Sequence, residues 1–214
     1  LGPSPRPGYE PSRRPDRGRT RRALVWLVRP LVHERAVVML SVHLEPYEYE
    51  RARTIGLERA ERYQSFGHRQ DYARAWEHFA EFLEPVDVAN MNAALLELAV
   101  AKHLGVYWHG HGGALDRSKL YRHLPDVGDR YEIRHVLRED AGPRIVEKDV
   151  DYARPHLEVW AGHMKGSTAL IFGGIRLVDA WEISETCGAC KRWPDSRRIC
   201  QSHLTIPSSQ GRNQ

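Results

Sequence analysis

The chain has 214 residues, of which 41% are hydrophobic and 28% charged, and its formal net charge is +4. This length allows one domain of ordinary size with appendages, and the composition is that of a globular protein on the polar side. No apolar run approaches the roughly 20 residues that span a bilayer, so we expect no membrane partner. The positive charge permits a polyanionic partner without requiring one.

The first segment, residues 1–38, opens with a stretch rich in Pro, Gly and Arg and poor in apolar residues. Such a stretch cannot bury enough apolar surface to offset the entropy of ordering the chain. We therefore expect a disordered basic arm or extension. A short apolar run follows it, but Arg29-Pro30 interrupts that run and no small-residue cleavage site is present, which disfavours a secretory signal.

Three helices are predicted between residues 46 and 105. Residues 46–66 and 71–83 each carry apolar side chains at helical spacing on one face, with charged residues elsewhere. Residues 88–104 are apolar on nearly all sides and are followed by Gly105, a typical helix terminator, so we expect a buried third helix. Glu97 is the lone acid in the middle of that helix.

Short strands are predicted after Gly105. They fall at residues 106–108, 130–137, 143–148, 156–162 and 168–172, and residues 174–183 fit either a strand or a short helix. A helix-rich first half followed by a strand-rich second half with little βαβ alternation predicts the α+β class with a mixed sheet. We expect an α+β domain over residues 39–182, a zinc-binding module over 183–206 and a disordered tail over 207–214.

The strand at residues 130–137 is unusually charged. Side chains alternate across a strand, so Glu132 and Arg134 share a face about 7 Å apart, and Asp126 lies in the turn just upstream. If the buried third helix passes that face, Glu97 joins Asp126 and Glu132. Converging carboxylates repel one another unless a cation neutralises them, and oxygen-rich sites of this kind suit Mg²⁺ or Mn²⁺. Such an ion can polarise a phosphodiester, and Arg134 can stabilise the developing charge.

A second interpretation of the same residues stays open. Glu132 and Arg134 can form a solvated surface ion pair worth under about 1 kcal/mol. Asp126 and Asp129 can be ordinary turn residues, and Glu97 can pair with a buried arginine.

The C-terminal region carries the most specific local motif. Cys187 and Cys190 are separated by two residues, and so are Cys200 and His203. Two such pairs joined by a short loop can wrap one tetrahedral Zn²⁺, and because protein fills all four positions the site is expected to be structural. These are the only cysteines of the chain, which favours a metal in a reducing compartment over a disulfide framework.

The loop between the two zinc pairs is basic and contains one aromatic residue. Basic side chains around an aromatic ring suit phosphate contact and base stacking. A solvated loop whose Trp packs on the zinc module is the alternative. The candidate nucleic-acid-binding residues are Lys191, Arg192, Trp193, Arg197 and Arg198.

A resemblance to a known family adds to these patterns. It is carried by the stretches ALLELAVAKHLGVYW, LPDVGDRYEIR, RIVEKDVD, HLEVWAG and TALIFGGIRLVDAWE, over roughly residues 45–182. They resemble small proteins of actinobacterial phages and their hosts that are related to the PD-(D/E)XK, or restriction-endonuclease-like, nucleases. The resemblance implies an α-β-β-β-α-β core and divalent-metal-dependent cleavage of DNA. It also implies roles for Glu97 as the helix acid, Asp126 as the motif Asp and Glu132 as the second acid.

The sequence departs from the family pattern at one position. Arg134 stands where the family has a lysine that helps to activate the attacking water. Arginine stabilises anionic oxygen but is a poor proton carrier, so this departure bears on cleavage and not on the fold or DNA binding. Lys148, near the end of the next strand, is a possible substitute.

Three hypotheses follow. The first is a DNA nuclease in which Glu97, Asp126 and Glu132 hold Mg²⁺ or Mn²⁺ and Arg134 stabilises the transition state. The second is a nuclease-fold protein that only binds DNA through its zinc module. The third is a phage structural or interaction protein with a structural zinc site. We expect a cytoplasmic location, that of the bacterial host if the protein is phage-encoded, and the oligomeric state is left open.

Overall fold

The computed structural model describes residues 39–65, 84–110 and 124–207. The predicted arm, the predicted helix at residues 71–83 and nearly all of the predicted tail therefore lie outside the described residues. The described segments form α-helices, β-strands and short 3₁₀ turns, which confirms the α+β class. None of the helices in these segments has the length and apolar character needed to cross a membrane.

Helices α1 (Pro46–Ser65) and α2 (Val86–Leu104) lie where the apolar periodicity predicts them. Helix α2 is followed by Gly105, whose φ of 66° is a left-handed conformation that glycine adopts without strain. The two helices cross closely at Gly56, where a Cβ would overlap the backbone of Met91. A glycine is therefore needed at this crossing.

The described strands form two sheets. The strands are β1 (Leu40–His43), β2 (Tyr131–His135), β3 (Arg144–Val146), β4 (Glu158–Lys165), β5 (Thr168–Arg176), β6 (Lys191–Trp193) and β7 (Ser196–Arg198). The larger sheet has the order β1-β5-β4-β2, with β2 parallel to β4 and the other pairs antiparallel. The sheet is therefore mixed, as predicted, and β2 is one of its edge strands.

Helix α2 covers one face of the larger sheet. Its apolar side chains form a core with Ile133 of β2, Trp160 of β4 and Ile171 of β5. Because side chains alternate along a strand, the neighbours of Ile133 on β2 point away from α2. The two faces of β2 therefore have different surroundings, one apolar and one charged.

The smaller sheet has the order β3-β7-β6 and lies beside helix α3 (Leu177–Thr186). Ile145 of β3, Leu177 of α3 and Ile199 are buried together in a second core. Residues 174–183, for which a strand and a helix were both possible, divide between them, with β5 ending at Arg176 and α3 beginning at the next residue. The predicted domain boundary at residue 182 falls inside α3.

The element order does not establish the α-β-β-β-α-β core that the resemblance implies. After α2, the strands β2, β4 and β5 of the larger sheet are followed by α3, but β3 of the smaller sheet lies between β2 and β4 in the chain. In the described residues the larger sheet gains no strand after α3, and Thr205 forms only an isolated bridge with Gly174. The complete α-β-β-β-α-β core stays a prediction.

Candidate functional site

Asp126 lies in the turn that leads into the edge strand β2. One of its carboxylate oxygens, Oδ2, accepts a hydrogen bond from the backbone N–H of Ile133 at 2.8 Å. The turn is held by backbone bonds in both directions between Val127 and Tyr131. Gly128 follows with a φ of 58°, which favours glycine. The carboxylate is thereby fixed against the backbone of an edge strand, whose donors would otherwise face solvent.

Arg134 gathers three carboxylates around one guanidinium. Its Nη2 donates to Asp149 Oδ2 at 2.9 Å, and its Nη1 lies 3.3 Å from Glu132 Oε2 and 3.6 Å from Asp126 Oδ2. We call Asp126, Glu132, Asp149 and Arg134 the acid centre. With three carboxylates against one guanidinium, its formal charge is negative when all are ionised.

The acid centre perturbs the ionisation of two of its own members. Burial, and then the neighbouring Asp126, raise the pKa of Glu132 to about 7, and Arg134 only partly offsets them. Burial opposes the charge of Arg134, but the surrounding carboxylates outweigh it, so the pKa of Arg134 is raised. Glu132 therefore keeps its proton to a higher pH than an ordinary glutamate does.

Stability should depend on pH through Glu132. Its folded pKa of about 7 lies above the ordinary 4.5, so its stabilising contribution is complete below pH 4.5 and is lost as the pH rises to about 7. Glu132→Gln stays neutral, and we expect it to be more stable than the wild type at pH 8 by on the order of 2 kcal/mol. Below pH 4.5 the difference should vanish.

Urea unfolding of both proteins across this pH range measures the effect. Glu61→Gln on α1, where the side chain is exposed, is the matched control and should change stability little at any pH. Equal stability of Glu132→Gln and the wild type at pH 8 would contradict the assignment.

Glu97 does not share this environment. Arg59 of α1 donates to both of its carboxylate oxygens, at 2.6 and 2.8 Å, and Trp108 Nε1 donates to Oε2 at 3.0 Å. The Glu97 residue is only 4% exposed. Burial alone would lower the pKa of Arg59, but the hydrogen bonds to Glu97 raise it. The alternative in which Glu97 pairs with a buried arginine therefore describes the structure.

Helix α2 does not pass the face of β2 that carries Glu132, as the predicted site of Glu97, Asp126 and Glu132 requires. Helix α2 packs on the Ile133 face of β2, and Glu132 projects from the opposite face. Asp126 interacts electrostatically with both Glu97 and Glu132, because it lies at the strand edge between the two faces. Among the described residues, neither Glu97, Asp126 and Glu132 nor the three acids of the acid centre form a group whose ligand atoms are close enough to share one ion as they stand. Asp149 is instead the third carboxylate of the acid centre.

Asp149 has no sequence signal that could have assigned it to this site. It ends a 3₁₀ turn, Glu147–Asp149, that directly follows β3, and it is 15 residues from Arg134 along the chain. Only the packing of the two sheets brings these side chains together. The substitute lysine, Lys148, is exposed in the same turn.

The predicted zinc ligands do converge. One potential ligand atom from each of Cys187, Cys190, Cys200 and His203 lies within 4.8 Å of all the others, and this is the one such group found in the described residues. Sγ of Cys200 lies 3.5 Å from that of Cys190 and 3.8 Å from that of Cys187, and no disulfide is formed. A tetrahedron with Zn–S bonds of about 2.3 Å has edges of about 3.8 Å. The cluster can therefore hold a metal such as zinc.

The chemistry of the thiols also fits a cation. Burial, and then the neighbouring thiols, raise the pKa of Cys200 to about 12. Burial opposes ionisation of Cys187 too, but His203 and nearby backbone N–H groups lower its pKa to about 6. Without a positive ion the cluster favours a mixture of thiolate and thiol, whereas zinc binds thiolates.

The predicted nucleic-acid-binding residues separate into two groups. Arg192 and Arg197 both reach Glu185 at the end of α3, and the Arg197 guanidinium lies 4.2 Å from the ring centroid of Trp181. These two cations are engaged with the domain itself. The exposed Lys191 and Arg198 lie on the other face of the smaller sheet, and the structure describes the backbone of Trp193 but not its side chain.

No family model, curated protein or solved structure matches this chain. Its class is therefore defined by its own fold and sites. It is an α+β protein with a mixed sheet and a Cys₃His cluster that can bind a metal such as zinc.

Proposed function

We propose that this protein is a divalent-metal-dependent nuclease that hydrolyses phosphodiester bonds of DNA on a PD-(D/E)XK-like core. The observation that carries the proposal is the acid centre, where three carboxylates meet around a single guanidinium beside an edge strand. Carboxylate oxygens are the ligands that Mg²⁺ and Mn²⁺ prefer.

We assign Asp126 and Glu132 to the ion, with Asp149 rather than Glu97 as the third acid. Their ligand atoms are not close enough to share one ion as they stand, so binding requires these side chains to move. Asp126 is fixed by the backbone of β2, and Glu132 and Asp149 are both part-buried. A bound Mg²⁺ or Mn²⁺ would supply polarisation of the phosphodiester and acidification of a bound water.

Arg134 has the role of stabilising negative charge on the substrate. Its longest contact in the centre is the one to Asp126, at 3.6 Å, so this is the contact most easily given up. A guanidinium that stays bound to Asp149 but is released from Asp126 can donate hydrogen bonds to a phosphate group. Because arginine does not give up its proton, the water must lose its proton to another group or to solvent.

Cleavage of plasmid DNA with Mg²⁺ or Mn²⁺ tests the proposal. Asp126→Asn keeps an oxygen for the Ile133 N–H but removes the charge, and we expect it to lower the cleavage rate by at least about 100-fold. Asp129→Asn changes an exposed acid of the same turn and should cleave like the wild type. The comparison is made with and without added metal rather than with a chelator, which would also remove zinc.

Two results would overturn the nuclease function. One is a wild-type protein that cleaves neither single- nor double-stranded DNA with either metal, and the other is equal cleavage by Asp126→Asn and Asp129→Asn. DNA binding without cleavage would instead support the DNA-binding alternative, which the exposed Lys191 and Arg198 favour. Absence of both activities would support the interaction protein.

A further inference from the structure

The smaller sheet places three cations side by side. Lys191 of β6 is opposite Arg198 of β7, and Arg198 is opposite Arg144 of β3. Residues directly opposite each other in antiparallel strands project from the same face. All three residues are exposed, and we call them the basic row.

The opposite face of the same sheet is turned to the protein interior. Ile145, the neighbour of Arg144 on β3, is fully buried in the core with α3. Arg197 of β7 is opposite Ile145, and Arg192 of β6 is opposite Arg197. Arg197 packs on Trp181, and both arginines reach Glu185 of α3. The alternation of the strands therefore places Ile145, Arg197 and the exposed Arg192 on the face towards α3, and the basic row on the other face.

The basic row brings three like charges together on one face of the sheet. Like charges directly opposite each other on neighbouring strands are destabilising. Adjacent strands are about 4.8 Å apart, so the row spans about 10 Å. A DNA strand presents one phosphate about every 3.4 Å along the helix axis, so a row of this length can face several phosphates at once.

Arg144 is anchored for such a contact. Its Nε and Nη2 both donate to the hydroxyl of the buried Ser196, at 3.1 and 2.9 Å. This bond fixes the direction of the side chain over the sheet. It also reduces the conformational entropy that the arginine would lose on binding a ligand.

We infer that the basic row binds the phosphate backbone of DNA. Strand β3 begins at Arg144, and the turn after it ends at Asp149, so the row and the acid centre are at most about 17 Å apart along the chain. A bound DNA strand can reach from one to the other. The inference rests on the proposed function only for naming DNA as the polyanion and for this route to the acid centre.

Fluorescence anisotropy with a labelled 30-base-pair duplex tests the inference, using the full-length zinc-loaded protein without added Mg²⁺ or Mn²⁺. We expect the double variant Lys191→Gln with Arg198→Gln to bind more weakly at 0.1 M salt, by on the order of fivefold to tenfold for each cation. The slope of log K against log salt concentration should fall by about 2.

The matched control is the double variant Lys165→Gln with Arg53→Gln. It makes the same change of net charge at exposed residues on β4 and α1, outside the smaller sheet. We expect it to keep the wild-type salt slope. Zinc content and thermal unfolding of all variants verify that the smaller sheet is intact.

Equal losses of affinity in the two double variants would overturn the inference, since they would report only the net charge. A wild-type protein that does not bind DNA at 50 mM salt would overturn it as well. The proposed nuclease function fails separately, when DNA bound through the basic row is not cleaved with either metal. Cleavage that depends on Asp126 but is unaffected by loss of the row would overturn the inference and leave the nuclease function standing.

Discussion

Replacing Arg59 by Met is expected to lower the free energy of unfolding by about 3–5 kcal/mol. The reason is that Glu97 is 4% exposed and receives two hydrogen bonds from Arg59, so the variant leaves a buried carboxylate without its counter-ion. Chemical denaturation at pH 7 measures the loss. Arg53→Met, on the same helix, removes an exposed arginine 3.6 Å from Glu50 and should cost under about 1 kcal/mol.

A second substitution separates charge burial from lost packing. Adding Glu97→Gln to Arg59→Met removes the uncompensated charge, so the double variant should recover part of the lost stability. A single Arg59→Met variant as stable as Arg53→Met would contradict a structural role for the pair. Such a result would also reopen the predicted role of Glu97 as a ligand of Mg²⁺ or Mn²⁺.

Loss of the zinc ligands should have an effect of similar size. We expect His203→Asn and Cys190→Ser to be purified with less than one zinc per chain and to unfold at clearly lower temperature than the wild type. Structural zinc sites contribute several kcal/mol or more to folding. Metal analysis of the purified protein and thermal unfolding with and without a chelator provide the two measurements.

His156→Asn is the matched control for the zinc prediction. His156 is exposed and lies outside the cluster, so this variant should keep both the metal and the unfolding temperature. A wild-type protein that contains no zinc after expression in zinc-supplemented medium, and whose unfolding is unchanged by a chelator, would show that the cluster is not a zinc site.

Local patterns predicted the local features of this protein well. The apolar residues along α2 and the glycine that follows it predicted a buried helix. Both patterns involve residues that are close together in the sequence. The four residues of the Cys₃His cluster were recognisable because the two members of each pair are only three positions apart in the sequence. Such features depend on residues that are near one another in the sequence, so one sequence is enough to predict them.

Contacts between distant segments could not be predicted in the same way. Arg59 is 38 residues from Glu97, and nothing in the spacing of either indicates the pair. Asp149 enters the acid centre only because the turn after β3 packs beside β2. The sequence did not determine which face of β2 is covered by α2. In the structure, α2 packs on the face that carries Ile133.

The charged end of β2 shows how these two kinds of information combine. The alternation of side chains correctly placed Glu132 and Arg134 on one face, where Arg134 Nη1 lies 3.3 Å from Glu132 Oε2. The other two members are Asp126, in the turn before β2, and Asp149, in the 3₁₀ turn after β3. The sequence therefore indicated three members of the acid centre, and only Asp149 required the structure.

The pairing of β3 with β7 joins the middle of the chain to its C-terminal thiols. Strand β7 is followed within two residues by Cys200, and β3 is followed within three by Asp149. The same pair of strands therefore supports both the Cys₃His cluster and the segment that carries Asp149, so the two sites share one small structural unit.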